Sequence, residues 1–385
     1  MGILNLCLNF ARHARNYSDL PLHVRRAFFV ICLAPAKAHR TTITAMNAIS
    51  TLLLMLPFLL PILLANLGEK ERSVRLFAYI YLALLNGVLA LAGFFSLAAG
   101  IVLSNPGVLN QMAEQNPGLN VEQLRQAQLG LAGVLLILFA IIAIVVLLPK
   151  IRSLIARVLP IDAGSAIHAT ALSMTASAFG INLFQMIALG PLVFAVAASE
   201  QVSGQLQQSY LDVLVFPLLT LVIAALLGVG LYIRRDQSQT LARLGLTRPT
   251  ARHIGIALGT TIGLLALSIL TNVVWQAIDP QSLNDVGGVL EAITRNLNGI
   301  PGALAIGLSA AIGEETFFRG AYQPRMGLPL AALLFASFHV QYAVTPATLL
   351  VLVIGVVLGV LRQRTSLTVC IVVHFLFNFV SVLLP

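Results

Sequence analysis

Polar positions in this chain are gathered into short stretches, and between them run segments that are apolar on every side. Leu129 to Leu148 reads LGLAGVLLILFAIIAIVVLL, with neither a helical nor a strand period of polar residues. A membrane β-barrel would show ~10-residue alternating segments with polar inward positions. That pattern is absent there, which excludes a barrel, and at ~20 residues per crossing the segment is long enough to span a bilayer as a helix. Similar runs lie at about 43–66, 76–103, 166–198, 213–233 and 254–278, and four closer ones at 300–322, 328–344, 346–361 and 367–385. The pattern predicts an all-α fold, a polytopic transmembrane helix bundle of about nine or ten membrane segments. The last four runs are joined by very short turns at Met326-Gly327, Thr345-Pro346 and Arg362 to Ser366, so their helices must pack as antiparallel neighbours.

Composition sharpens this picture. Of 385 residues, 58% are hydrophobic and only 10% charged, against about 25% charged in a soluble domain, which rules out a water-soluble globule. The net charge of +9 resides in short loops without a basic aromatic surface, so it reads as membrane orientation and not as a nucleic-acid site. Loops 67–75, 149–165 and 234–253 are basic, whereas 104–128, 199–212 and 279–299 are mostly acidic, which assigns the basic set to the cytoplasmic side. The N-terminal 1–40, with Arg12, Arg15, Arg25, Arg26, Lys37 and Arg40, is also basic, and a full crossing at 43–66 would put it outside. Pro57 and Pro61 interrupt that run, and a re-entrant or interfacial segment would restore parity. Gly190-Pro191 is the expected break in the long run 166–198. Cys7, Cys32 and Cys370 are far apart and read as three unpaired thiols. No cleaved signal peptide and no repeat of 20 to 50 residues is read. The organisation expected is a basic cytoplasmic segment 1–40, a transmembrane region 41–239 of unknown role, and a core 240–385.

Ionisable groups inside apolar spans are costly and tend to be functional. Here they concentrate in the last third as Glu314, Glu315, Arg319, His339 and His374. His168, Asn182 and Gln185, in an earlier span, fit structural hydrogen bonding between helices. Glu315 and Arg319 are spaced i, i+4 and can pair on one helix, which leaves Glu314, turned ~100° away, for another neighbour. His339 follows Phe335 by four residues and Asn378 follows His374 by four, so both histidine faces can converge on Glu314 at one depth in the cytoplasmic half of the bilayer. A carboxylate with imidazoles suits water activation, the carboxylate taking the proton and imidazole or amide groups stabilising an oxyanion. The same residue types can hold Zn²⁺. The spacing leaves both readings open.

Three stretches, Glu314-Glu315-Thr316-Phe317-Phe318-Arg319, Phe335-Ala336-Ser337-Phe338-His339 and His374-Phe375-Leu376-Phe377-Asn378, match E-E-x-x-x-R, F-x-x-x-H and H-x-x-x-N in order. They resemble the CPBP family of intramembrane proteases, the CAAX-protease and bacteriocin-processing group that includes Rce1-type endopeptidases. Leu244-Gly245-Leu246-Thr247-Arg248-Pro249 is similar to a loop common upstream of that core, and the resemblance covers about 240–385. It implies Glu314 as general base with His339 as partner, His374 and Asn378 as oxyanion stabilisers or metal holders, and Glu315 and Arg319 as orienting groups. If a metal is bound, zinc or another divalent ion, its ligands would be Glu314, His339 and His374; a metal-free glutamate mechanism is the other possibility the family carries. The resemblance further implies a multi-pass protein of the bacterial cytoplasmic membrane whose partners are membrane lipid and a peptide or membrane-protein substrate. A non-catalytic scaffold or immunity protein on the same fold, and a proton-coupled transporter, are the alternatives.

Overall fold

The computed structural model describes residues 55–115, 127–190, 218–297 and 299–384. The basic segment 1–40, with Cys7 and Cys32, and Pro191 lie outside those residues. From Leu56 onward the described residues belong to one compact unit. They are helical throughout, with one isolated bridge, Leu231 to Arg235, and no strand.

The first group of helices comprises α1 (Met55–Gly68), α2 (Arg72–Leu103), α3 (Pro106–Gln115), α4 (Leu129–Val145), α5 (Pro149–Ile155) and α6 (Ala166–Phe184), the last prolonged by a π-helical turn Gln185–Leu189. α4 packs on both α2 and α6. The α2–α4 contact is backbone against backbone: a Cβ at Gly133 would stand 2.5 Å from Gly93 O and 2.6 Å from Leu97 N. In lipid, where no water drives helices together, such close approach of small residues supplies the attraction. α4 and α5 meet at a bend of 101°. The buried Arg152 occupies the bend and donates to the carbonyls of Val146, Leu147 and Ala163, satisfying acceptors that the end of α4 leaves without partners.

The second group comprises α7 (Leu221–Val229), α8 (Gln237–Leu244), α9 (Ala251–Ile278), α10 (Pro280–Thr294), α11 (Gly299–Glu315), α12 (Leu328–Ser337), α13 (Pro346–Arg364) and α14 (Leu367–Leu383). α11 runs directly into a second π-helical segment, Thr316–Tyr322, and a last turn Gln323–Met326. α12 packs along α13 and α13 on α14 across the short turns, as expected, while α14 also packs along α11 and on α9, helices distant from it in sequence. The Leu244-to-Arg248 loop is clasped to the α13–α14 turn: Arg362 Nη2 donates to Leu244 O at 3.0 Å, Leu367 N to Gly245 O at 3.0 Å and Thr368 Oγ1 to Thr247 O at 2.7 Å. The two groups are joined by Asn182 Nδ2 donating to Ser337 Oγ at 3.0 Å and by a 2.6 Å hydroxyl pair, Thr175 and Tyr322. Asn182 thus has the inter-helix role expected of it. Cys370 is a buried free thiol, as expected.

Large apolar side chains such as Leu84, Val88 and Phe95 of α2 and Ile262, Ile269 and Val273 of α9 point outward, the surface that a hydrocarbon solvent requires. Four helices (α2, α6 with its extension, α9 and α13) are long and apolar enough to cross a membrane among the described residues, and five if α4 and α5 count as one broken span. Four shorter apolar helices accompany them: α1, the stretch Leu218–Val229, α12 and α14. The expected nine or ten segments are therefore not all full-length helices. Several apolar runs contain a helix end that hydropathy does not register, such as Gly230 with φ +84° closing α7. The stretch 279–299, read as a loop, holds α10 instead, opened by Asp279 accepting from Ser282 N and burying Val286, Val289 and Ala292. The basic loops do meet at one end of the bundle. Glu69 accepts from Ser165 Oγ at 2.5 Å and Ile167 N at 3.0 Å, and Arg234 Nε donates to Asn66 Oδ1 at 3.0 Å.

Candidate active site

α11, α12 and α14 each bring one motif to a common region, and the packing around Phe335 decides how they meet. Glu315 and Arg319 are 0% and 1% exposed and form an ion pair, Nη1 to Oε1, at 3.1 Å. This is the pair expected from i, i+4 spacing, but it lies deep in the protein and not at a headgroup-level helix end. The guanidinium also stands 4.1 Å from the Phe335 ring centroid, and its Nη2 donates to Gly355 O at 3.3 Å. The same Glu315 oxygen receives His374 Nδ1 at 2.8 Å. His374 therefore turns to Glu315, whereas the spacing suggested convergence of both histidines on Glu314. The rotation of α14 against α11 chooses the carboxylate, and helical periodicity does not contain that rotation.

His339 follows α12 directly, and its Nδ1 lies 3.0 Å from Phe335 O. A carbonyl can only accept, so Nδ1 carries the proton and Nε2 of the neutral ring keeps its lone pair. The Phe335 ring packs 4.9 Å from His339 and 6.0 Å from His374, centroid to centroid. The phenylalanine of F-x-x-x-H thus sets the tautomer of one histidine through its backbone and wedges both imidazoles through its ring. On the far side His339 stacks on Tyr342, centroids 5.9 Å apart and planes at 9°. Tyr342 lies in the 3₁₀ turn Val340–Tyr342, against which α10 packs.

Glu314 differs from its neighbour. Each has a buried Oε2 without a hydrogen-bond partner among the described residues, but Glu314 is half-buried and has no counterpart to the Arg319 and His374 contacts that hold Glu315 Oε1. Of the charged groups acting on His339, Glu314 is the strongest, and it is also the charged group that Tyr342 faces. One carboxylate of the pair is structural and doubly engaged; the other is available. Asn378 stands one helical turn beyond His374, half-buried, with no hydrogen bond to the cluster. Tyr342 is the participant that the motifs did not reveal, because it belongs to none of them and reaches the site through the short turn after His339.

Among the described residues, no three His, Cys, Asp or Glu side chains are arranged to hold a metal ion. His339 and His374 each place Nδ1 on a protein acceptor, Phe335 O and Glu315 Oε1, which leaves Nε2 of each ring as the atom able to meet a metal or a water.

Residues 296–380, which contain all three motifs, match the family model for type II CAAX prenyl endopeptidase Rce1-like proteins. The chain is 27% identical over 162 residues to the uncharacterized protein YpbD of Bacillus subtilis (strain 168), an alignment covering 42% of this chain and 82% of that protein. No solved structure matches. The segment that gathers the two carboxylates, the arginine and the two histidines is the one that matches the Rce1-like family model.

Proposed function

We propose that this segment is the hydrolytic centre of an intramembrane endopeptidase acting on a membrane-associated protein or peptide near the cytoplasmic side of the bilayer. The observation that carries the reading is the unpaired Glu314 carboxylate oxygen beside a histidine whose Nε2 is free to accept. A water between them donates one proton to Glu314 and the other hydrogen bond to His339 Nε2, which aims its oxygen at a peptide carbonyl carbon. As the C–O bond forms, Glu314 takes the proton. Protonated His374, held through Nδ1 by Glu315, presents Nε2–H to the developing oxyanion, with the Asn378 amide as a second donor. Collapse breaks the C–N bond, and Glu314 returns its proton to the leaving amine, so one water is consumed and a carboxylate and an amine are released. Arg319 and Glu315 are positioning residues that hold His374 in this role.

The test is a comparison of new peptide termini in the membrane proteome of cells carrying the wild type and cells carrying Glu314→Ala at equal abundance. Termini present only with the wild type are expected and would name the substrate. Identical termini, together with a wild-type phenotype preserved in the variant, would replace the protease with a non-catalytic scaffold.

A further inference from the structure

At the end of the bundle where the basic loops meet, arginines from three separate segments converge with little to neutralise them. Arg234 and Arg235 lie in the turn after α7, Arg243 on α8, and Arg325 on the turn after the second π segment; all four are half-buried. They are tied to neutral partners and not to acids. Arg234 donates to Asn66 Oδ1, Arg235 to Val229 O, and Arg243 to Gly320 O at 3.3 Å. Asn66 is itself fully buried and fixed by the carbonyls of Ile62 and Leu227. Glu69 is the carboxylate that acts on both Arg234 and Arg325, and it is already occupied by Ser165 and Ile167.

A further observation shows that acceptors are missing. Arg234 Nη2 and Arg325 Nε are buried and have no hydrogen-bond partner among the described residues. His168, whose Nδ1 is held at Asp162, stands beside the cluster with Nε2 3.3 Å from Arg325 Nη1. Burial, and after it Arg234 and Arg235, disfavours the charged form of Arg325. Burial, and after it Arg325, Arg235 and Arg362, does the same for Arg243. Such a cluster is stable when an anion with several oxygens lies among the guanidinium forks, and a phosphate offers that geometry.

We propose that Arg234, Arg235, Arg243 and Arg325, with His168, form a binding site for a phosphate-class anion, carried by an anionic phospholipid headgroup or free in solution. The site is separate from the Glu314 centre and does not depend on the protease reading. It lies at the C-terminal part of the second π segment, where Arg243 holds Gly320 O and beyond which Arg325 follows, whereas Glu314 precedes that segment.

The test uses the full chain in phosphatidylcholine nanodiscs, with and without phosphatidylglycerol, and with and without inorganic phosphate at constant ionic strength. The readouts are the thermal unfolding midpoint and lipid retained in native mass spectrometry. Phosphatidylglycerol that raises the midpoint, stays bound and abolishes any response to phosphate identifies the lipid headgroup as the source. A midpoint raised by phosphate in both discs, with no effect of phosphatidylglycerol, identifies a free anion. In either case Arg234→Gln combined with Arg325→Gln weakens the response about tenfold or more, and Arg157→Gln, an exposed arginine outside the cluster, leaves it unchanged. Should the double variant fail to fold, Arg243→Gln, which keeps the Arg234 bond to Asn66, carries the same expectation. No midpoint response to either anion, a cluster variant that responds like the wild type, or an equal loss in Arg157→Gln overturns the proposal.

Discussion

Adjacent carboxylates with opposite duties make a sharp prediction about Glu314→Gln and Glu315→Gln. Glu315 is fully buried, and its Oε1 pairs with the Arg319 guanidinium at 3.1 Å and accepts from His374 Nδ1 at 2.8 Å. A hydrogen bond to a charged group is worth about 1.5–3 kcal/mol, and removing one partner of a buried ion pair costs about 3–5 kcal/mol because the other charge is stranded. Glu315→Gln leaves the Arg319 guanidinium, 1% exposed, with only carbonyl and aromatic partners, so a loss of about 3–5 kcal/mol is expected. Glu314 receives no hydrogen bond at Oε2, so Glu314→Gln should change stability by less than about 1 kcal/mol while abolishing cleavage. Unfolding of both variants by SDS titration in mixed micelles, alongside a cleavage assay, separates the two. Equal stability losses, or a Glu315→Gln protein within about 1 kcal/mol of the wild type, would refute the division of labour.

Other expectations concern packing, protonation and metal. Gly133→Leu places side-chain atoms where Gly93 O would lie 2.5 Å from the first carbon, so α2 and α4 must separate, at a cost of about 1–3 kcal/mol or more read from the same titration. Glu69, in the loop between α1 and α2, is opposed by burial, but the Ser165 hydroxyl and Ile167 N–H, with Arg234 and Arg75, hold its carboxyl below the ordinary 4.5. A lowered folded-state value means its contribution to stability is complete above 4.5 and fades as pH falls through the lower value. The wild type should therefore lose more stability than Glu69→Gln on acidification below that point, and parallel pH curves would contradict the assignment. Because no three ligand side chains are gathered for a metal among the described residues, cleavage should survive exhaustive chelation; activity lost to a chelator and restored by Zn²⁺ would show that the site rearranges around a metal.

The helical bundle was legible because a hydrocarbon solvent leaves a chain few options: each backbone group must be satisfied within its own segment, and that demand writes long apolar runs into the sequence. The Glu315–Arg319 pair was legible for an equally local reason, since one turn of helix brings the two together. The choice of Glu315 over Glu314 by His374 was not, because it depends on how α14 rolls against α11, set by contacts such as Gly307 against Phe375 far along the chain. Tyr342 escaped because a residue three beyond a motif carries no periodic signature. α10 was missed because its buried residues, Val286, Val289 and Ala292, recur every third position with Gly287, Gly288 and Glu291 among them and so form one helix face, not an apolar run. Apolar runs also overstate helix length wherever a turn is itself apolar, as at Phe338 and His339 between α12 and the next short turn.

The π segment Thr316–Tyr322 begins at the residue after Glu315 and ends three residues before Arg325, so it separates the carboxylates from the arginine-rich end of the same continuous rod. A π turn holds one residue more than the α turn it replaces. Deleting that one extra residue would restore regular winding and leave the two halves of the rod facing as they do now. Deleting a residue from the regular winding of α11 between Glu314 and the helix start would instead turn everything before it about 100° against the carboxylates. The π turn is thus the place in this rod where a change of length is absorbed without re-aiming Glu314 and Glu315 against the arginine-rich end.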